Sequence, residues 1–519
     1  MKGLKIIAVI ISAFILLCSC APINSGNHTA SNNQNTEQNN QEVKEIQLLY
    51  CSNDTLNPYK TINKTNAEIG LLLYEPLVSC SNEFEPVYRI ADSVLIEGPV
   101  CTVKLRSIKF SDGSFVTADD VVNSYNLAKS SSQYSPLLYE VKSALAVDSA
   151  TVVFNLTQND PYFENLLSFP IIKKGTENLK NEDNLEIVPT GSGKFVFSTS
   201  EESLIPNNYY ENASHGISKI KLVNAPDSES VEHYVEVGAT DIYYTDPKNN
   251  NIIRMSGIKT SLNMNNLVFV GINHNRESLA HIELRHAVSS AIDRTAIAKT
   301  AFYSNATATT GFFHPDWKVT SGYQSLQLEP NSKIAIENLE KIGYNRLDSD
   351  GYRVGNSNRR LSFSILVNSS NASRVKTAEL IKKQLATVGI HTTINSVSDE
   401  RYYSNLSSGN FDLYIGELRL TPNMDISPLV KVGGSSAFGI KAPVDTENEA
   451  SASYLTVLND YYLGNSAITS LATSLLNYMP IIPLVYRDAL IFHSNNIESI
   501  GSASMFDIFS SIDKFKVKD

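Results

Sequence analysis

Between residues 267 and 415 the apolar pattern switches repeatedly from the two-residue period of a strand to the 3.6-residue period of a helix. That alternation is the strongest constraint on what the chain can fold into. Residues 267–272 read as a strand and 282–298 as a helix, whose apolar face carries Leu284, Val288, Ala291 and Ile292. A helical stretch at 335–339 ends at Gly343, and 361–367 is again strand-like. Residues 374–388 predict an amphipathic helix (Val375, Ala378, Ile381, Leu385) stopped by Gly389, which suits a left-handed cap. Strand 390–397, a short helix 400–408 closed by Gly409, and strand 411–415 complete the series. Such a succession predicts an α/β lobe. A helix at 467–478 and a strand at 480–492 follow, as expected of a chain that crosses back to an earlier lobe.

The first half is less regular. Residues 46–50 and 151–156 read as strands and 67–73 as a helix. The stretch VKLRSIKFSDGSFVTADDVVNSY, residues 103–125, packs strand, turn and helix together. Val103, Leu105, Ile108 and Phe110 alternate with Lys104, Arg106 and Lys109, and Ser111-Asp112-Gly113 is turn chemistry. Thr117 and Asp120 have capping-box spacing, and Val121, Val122, Tyr125 and Ala128 supply one apolar face. The unit predicts framework.

The N-terminus speaks to location. Lys2 and Lys5 precede an apolar run at residues 6–17, too short to span a bilayer and matching a signal segment. It ends in Leu17-Cys18-Ser19-Cys20, which resembles a bacterial lipobox. Residues 1–19 would then be a lipoprotein signal peptide, with Cys20 the lipidated first residue. Two acyl chains on that cysteine meet the requirement for stable anchoring. Residues 24–41 are almost entirely Asn, Ser, Thr, Gln and Gly, so 20–44 reads as a disordered polar tether.

Removing the signal leaves 41 basic against 54 acidic residues. That balance argues against nucleic acid and against charge-driven binding to anionic lipid, leaving the lipid anchor as the membrane contact. Cys51, Cys80 and Cys101 cannot all pair, and their spacing suggests no zinc site, so buried or free thiols are expected.

Catalytic patterns are missing from the sequence. PTGSGKFVF (189–197) only superficially resembles a phosphate loop, because position 188 is Val and Phe195 replaces the Ser/Thr. His281 and His286 lie five apart and so on different helix faces, and Asp348-Ser349-Asp350-Gly351 lacks the length and closing Glu of a calcium loop. The reading is of a non-enzyme without cofactor or metal.

VKLRSIKFSDGSFVTADDVVNSY resembles the signature of the family 5 extracellular solute-binding proteins, the peptide, dipeptide and nickel-binding proteins of ABC transporters. Leu105, Arg106, Ile108, Phe110, Asp112, Gly113, Thr117, Ala118, Asp120, Val121 and Val122 carry the likeness. LLYEPLVSCSNEFEPVYRIADS, PTGSGKF (with Lys194 where Pro is usual), VGATDIYY, IELRHAVSSAIDRTAI and LSSGNFDLYIGEL are similar to further family segments, in the family's order. The resemblance implies a two-lobed α/β fold of the periplasmic-binding-protein type (class II, cluster C) with an extra subdomain in the N-terminal lobe. It implies an N-terminal lobe at 45–266, a second lobe at 267–482 and a return at 483–519, with hinge strands at 267–272 and 483–486. Function would be capture of oligopeptides or dipeptides by hinge closure at the extracytoplasmic face of the membrane. Delivery would be to permease and ATPase subunits, by a monomer. The same fold holding a metal chelate, haem or a sugar is the alternative.

The resemblance also points to ligand residues. In peptide binders an Asp that pairs with the ligand's α-amino group follows a Gly and an aromatic. Here Gly416 fits, Glu417 takes the aromatic position and Leu420 the Asp position. Asn423 and Asp425 fall in the family's later acidic element, and Thr61 and Asn63 in a segment that faces the cleft in relatives. Either Asp425 or Glu417 holds the amine in a shifted register, or the ligand is not a free-amino peptide. Arg419 suits an anionic group better than an ammonium.

Overall fold

The structure, a computed structural model, describes residues 44–211, 216–247, 255–322, 328–441 and 449–518. The signal, lipidation and tether expectations, Cys20 among them, lie outside the described residues. The fold is α/β and two-lobed, and it rests on three larger sheets.

The N-terminal sheet is mixed. Glu45–Tyr50 runs parallel to Lys219–Asn224, followed by Ser203–Pro206 and Phe195–Ser198 in antiparallel order. Helix Lys64–Leu73 buries Ile69, Leu72 and Leu73 in the core beside it. The extra subdomain is an antiparallel sheet in the order Ala91–Glu97, Val100–Leu105, Thr151–Leu156, Val141–Asp148, with helix Ala118–Ser130 packed on it. Asp120 closes that helix's first turn, its carboxylate accepting from the Thr117 N–H at 2.8 Å and hydroxyl at 2.6 Å.

Residues 108–110, expected to extend the preceding strand, instead enter a tight turn. Phe110 N–H donates to Ser114 O and Gly113 N–H to Phe110 O, both at 2.9 Å or less. Gly113 takes φ +87°, and a Cβ there would also strike the Tyr209 ring, 2.9 Å away.

The central sheet runs Ile242–Thr245, Ile481–His493, Ile258–Ile272, Leu413–Arg419, Ser362–Asn368, His391–Val397, with Ala306–Ala308 also on Ile481–His493. Helices Ile282–Ala291, Arg294–Ala301, Ser332–Lys341 and Ala372–Thr387 contribute to the core on one of its faces. The helix expected over 282–298 is two helices. Ile292 is extended, and the Asp293 carboxylate caps the second by accepting from Ala296 N–H at 2.7 Å. A local cap thus interrupts an apolar pattern that carries on through it.

Two long strands, Ile258–Ile272 and Ile481–His493, pass from one hydrophobic core into another. Leu262, Met264, Ala489 and Ile491 belong to the N-terminal core, whereas Val268, Val270, Ile272, Ile482, Leu484 and Val485 belong to that of the second lobe. Burying each such Leu or Ile contributes about 1.5–3 kcal/mol. Between the two apolar stretches the strands turn polar, with Asn263 opposite Asp488 and Asn266 opposite Arg487, and the register slips between Asn263 and Asn266, where Asn265 lies. A β-bulge therefore sits where the apolar packing changes hands.

Cys51, Cys80 and Cys101 are buried free thiols; burial, then the nearby Glu164, pushes Cys80 and Cys101 up to about 12.

Candidate functional site

At that bulge three adjacent strands place Arg419, Asn266 and Arg487 in one row, Asn266 standing opposite both arginines. Directly opposed residues share a face of the sheet, so the two guanidiniums are separated by a neutral amide. Glu417, two residues before Arg419, points to the same face. Its carboxylate accepts from Arg487 at 2.6 Å, Arg374 at 2.9 Å and the Asn266 amide at 2.8 Å. Arg374 comes from the first turn of helix Ala372–Thr387, and Asp246 follows strand Ile242–Thr245. Asp246 accepts from Arg487 and, at 3.1 Å, from Arg419.

Burial alone would raise the Glu417 carboxyl. The Arg487 and Arg374 charges outweigh it, with hydrogen bonds from Arg374 and Asn266, and hold it at about 2. The cluster counts three arginines against two carboxylates. Arg487 is almost fully buried, whereas the Arg419 side chain is 50% exposed. Lys64, on the N-terminal helix, reaches the neighbouring Tyr244, donating to its carbonyl at 2.9 Å and lying over its ring.

The other asparagines of the bulge reach elsewhere. Asn263 donates to Asn82 O at 2.9 Å and to Asp316 at 2.8 Å. Asn265 O accepts from Leu420 N–H at 2.8 Å, and its amide donates to Thr421 O at 3.2 Å.

The candidates named from sequence fall into three groups. Glu417 and Arg419 share the cluster just described. Asn423 and Asp425 lie against the extra subdomain. Asn423 donates to Asp160 at 2.7 Å, and Asp425 accepts from Tyr139 at 3.0 Å, from Ser427 N–H at 2.8 Å and from Tyr462. Thr61 and Asn63 build the start of helix Lys64–Leu73: the Thr61 hydroxyl and Asn63 N–H donate to Asp54, and the Asn63 side chain caps the helix. Gly416 is a packing position, since a Cβ would meet the Phe269 ring at 2.5 Å. Leu420 is buried in the apolar cluster with Phe269 and Met424.

Arg374, Asp246, Asn266 and Arg487 were not singled out from sequence. The available signals were the run Asn263-Met264-Asn265-Asn266 and the charged pair Arg487-Asp488 inside the apolar stretch 480–492, because charges in a buried strand need partners.

Residues 85–436 match the family described as bacterial extracellular solute-binding proteins, family 5 middle. The chain belongs to this family. Among curated relatives, this family 5 protein is 24% identical over 442 residues to the oligopeptide-binding protein AppA of Bacillus subtilis (strain 168), covering 79% of each chain. It is 23% identical over 379 residues to the glutathione-binding protein GsiB of Escherichia coli (strain K12), covering 68% of this chain and 70% of the relative. Among solved structures, its fold matches the unliganded open form of the periplasmic murein tripeptide-binding protein MppA. The TM-score is 0.72 at 19% identity, over 92% of this chain and 98% of the other. A nickel ABC transporter structure from Bacillus halodurans matches with the same TM-score and identity, over 91% and 100%. In this family 5 protein the charged row lies where two hydrophobic cores meet.

Proposed function

We propose that this chain is a lipid-anchored substrate-binding protein, moored by Cys20 at the extracytoplasmic face of the bacterial membrane. In this reading it captures peptides or peptide-like solutes between its lobes and delivers them, as a monomer, to the permease and ATPase subunits of an ABC transporter. The lobes divide as 45–266, 267–482 and the return 483–519. Hinge closure turns on the two strands that run through both cores.

The observation that carries this reading is the polar bulge between those cores. Apolar packing locks each end of Ile258–Ile272 and Ile481–His493, while the ion-paired row joins them. Ion pairs and side-chain amides re-form after small rotations at lower cost than close-packed side chains, so flexing is concentrated there. The peptide assignment draws on the relatives that bind oligopeptides, glutathione and murein tripeptide.

Trp317, the single tryptophan, offers the test. Its buried indole meets Tyr162 edge-on, ring centroids 5.1 Å apart, joining a segment beside the extra subdomain to one beside the central sheet. Adding mixed tri- to pentapeptides to the full-length protein in detergent should change Trp317 emission and raise the melting temperature. Mass spectrometry of molecules released from natively purified protein should find peptides. A sugar or a metal chelate released instead, with no response to peptides, would overturn the assignment.

A further inference from the structure

We infer that Arg419 anchors an anionic group of the solute, a carboxylate in a peptide-like ligand, and that Asn266 is the residue that positions it. The inference rests on the reading above that solute is held where the lobes meet.

Three observations lead there. The first is the guanidinium's bonding. Arg419 Nε donates to Asn266 Oδ1 at 2.7 Å and Nη2 to Asp246 at 3.1 Å, while Nη1 has no partner among the described residues. The side chain is half exposed, so the free edge offers N–H donors to an arriving oxyanion. The second is charge. Among the ion-paired groups Arg374, Arg487 and Arg419 outnumber Glu417 and Asp246, and Asp488, beside Arg487 and raised by burial to about 7, only partly offsets the excess. The third is the state of the carboxylates. Glu417 already accepts from two arginines and an amide, and Asp246 from two arginines, so neither is left for a solute ammonium. At position 420 a buried leucine stands, which excludes a charge there.

Asn266 holds Arg419 without cancelling it. Its Nδ2 is fixed by Glu417 at 2.8 Å, which orients Oδ1 toward Arg419 Nε. An aspartate there would still accept from the guanidinium but would lose the donor to Glu417, set a second carboxylate against it and remove the excess charge. A leucine would leave it unoriented.

The experiment uses the full-length protein in detergent, with titration calorimetry against four probes. These are mixed tri- to pentapeptides with free termini, the same peptides amidated at the C-terminus, the same peptides N-acetylated, and citrate. Amidation should weaken binding about 10–100-fold, the range of a hydrogen-bonded charge, and acetylation by less than about threefold. Arg419→Gln should bring the free acids down to the affinity of the amides and leave the amides unchanged. Asn266→Asp and Asn266→Leu should each weaken the free acids selectively, by less than Arg419→Gln. An unchanged melting temperature of Arg419→Gln shows that the fold is intact. Peptides that bind alike whatever their termini, and alike in Arg419→Gln, overturn the anchor and leave the peptide reading standing. Citrate binding that is lost in Arg419→Gln, with no peptide bound, overturns the peptide reading and upholds the anchor. Binding of neither peptides nor citrate overturns both.

Discussion

Polar contacts bridge the parts of this protein in two regions, and the two are built on opposite electrostatic plans. At the bulge, the Glu417 and Asp246 carboxylates each meet two guanidiniums. Against the extra subdomain, Asp160 and Asp425 are met by neutral groups: Asn423 and the Tyr162 N–H at Asp160, and Tyr139, Tyr462 and the Ser427 N–H at Asp425. The consequence is visible in proton affinity. Glu417 is held at about 2, while burial pushes Asp160 up to about 6 against its hydrogen bonds, with Asp425 and Glu140 adding repulsion. Paired with two arginines, Glu417 stays ionised across the neutral range. Asp160, with no cation beside it among the described residues, binds its proton more tightly than a free aspartate, so that joint gains stability as protons arrive.

The largest expected effect breaks the first joint. Glu417→Gln leaves Arg374 and Arg487 facing each other with one carboxylate fewer. Removing one partner of a buried ion pair costs about 3–5 kcal/mol. Denaturation at pH 7 should show a loss of that size, constant from pH 5 to 8 because Glu417 stays ionised throughout. A loss below about 1 kcal/mol would mean that the row carries no structural charge pairing.

A slightly smaller effect tests the second joint, through pH. Folded Asp160 takes up its proton near pH 6, and an unfolded aspartate does so near 4. The folded state therefore holds more protons in that interval, and its stability falls as pH rises through it, by about 3 kcal/mol in all. The loss is complete about one unit above the folded value, near pH 7. Asp160→Asn cannot ionise, so it should flatten this part of the stability profile and exceed the wild type at pH 8. Glu68 and Asp488, both raised to about 7 by burial, titrate in the same direction, so the reading is the difference between the two profiles. Superimposable profiles would erase the contrast between the joints.

The sequence revealed the two joints unequally, for a physical reason. Periodicity and caps are local: helix Ala372–Thr387 and Gly389 fall within two residues of expectation, and strand Thr151–Leu156 coincides with it. The polar row is not local. Its members come from stretches near 246, 266, 374, 417 and 487, brought together by strand register and by a bulge that no single stretch specifies. Glu417 and Arg419 were legible because they interrupt an expected pattern. Asn266 stands just before the predicted strand 267–272 and Arg487 inside the predicted strand 480–492, and neither position by itself indicates a partner. The resemblance puts Asp425 in the family's later acidic element, but its partner Tyr139 stands 286 residues earlier, beyond any reading by periodicity.

The smallest expected effect sharpens the comparison by changing burial. Tyr139→Phe removes one hydrogen bond to a carboxylate, while Asn266→Leu removes one to Glu417 and one from Arg419. Tyr139 is 55% exposed, so water replaces its hydroxyl at Asp425, and Tyr462 and the Ser427 N–H still satisfy that carboxylate. The loss should be below about 1 kcal/mol. Asn266 is 6% exposed, and its removal strips Glu417 of a donor that water does not readily replace, so that loss should reach about 1–3 kcal/mol. Equal losses in the two variants, measured by urea denaturation at pH 7, would mean that burial does not separate the joints. The difference in their response would then rest on charge pairing alone.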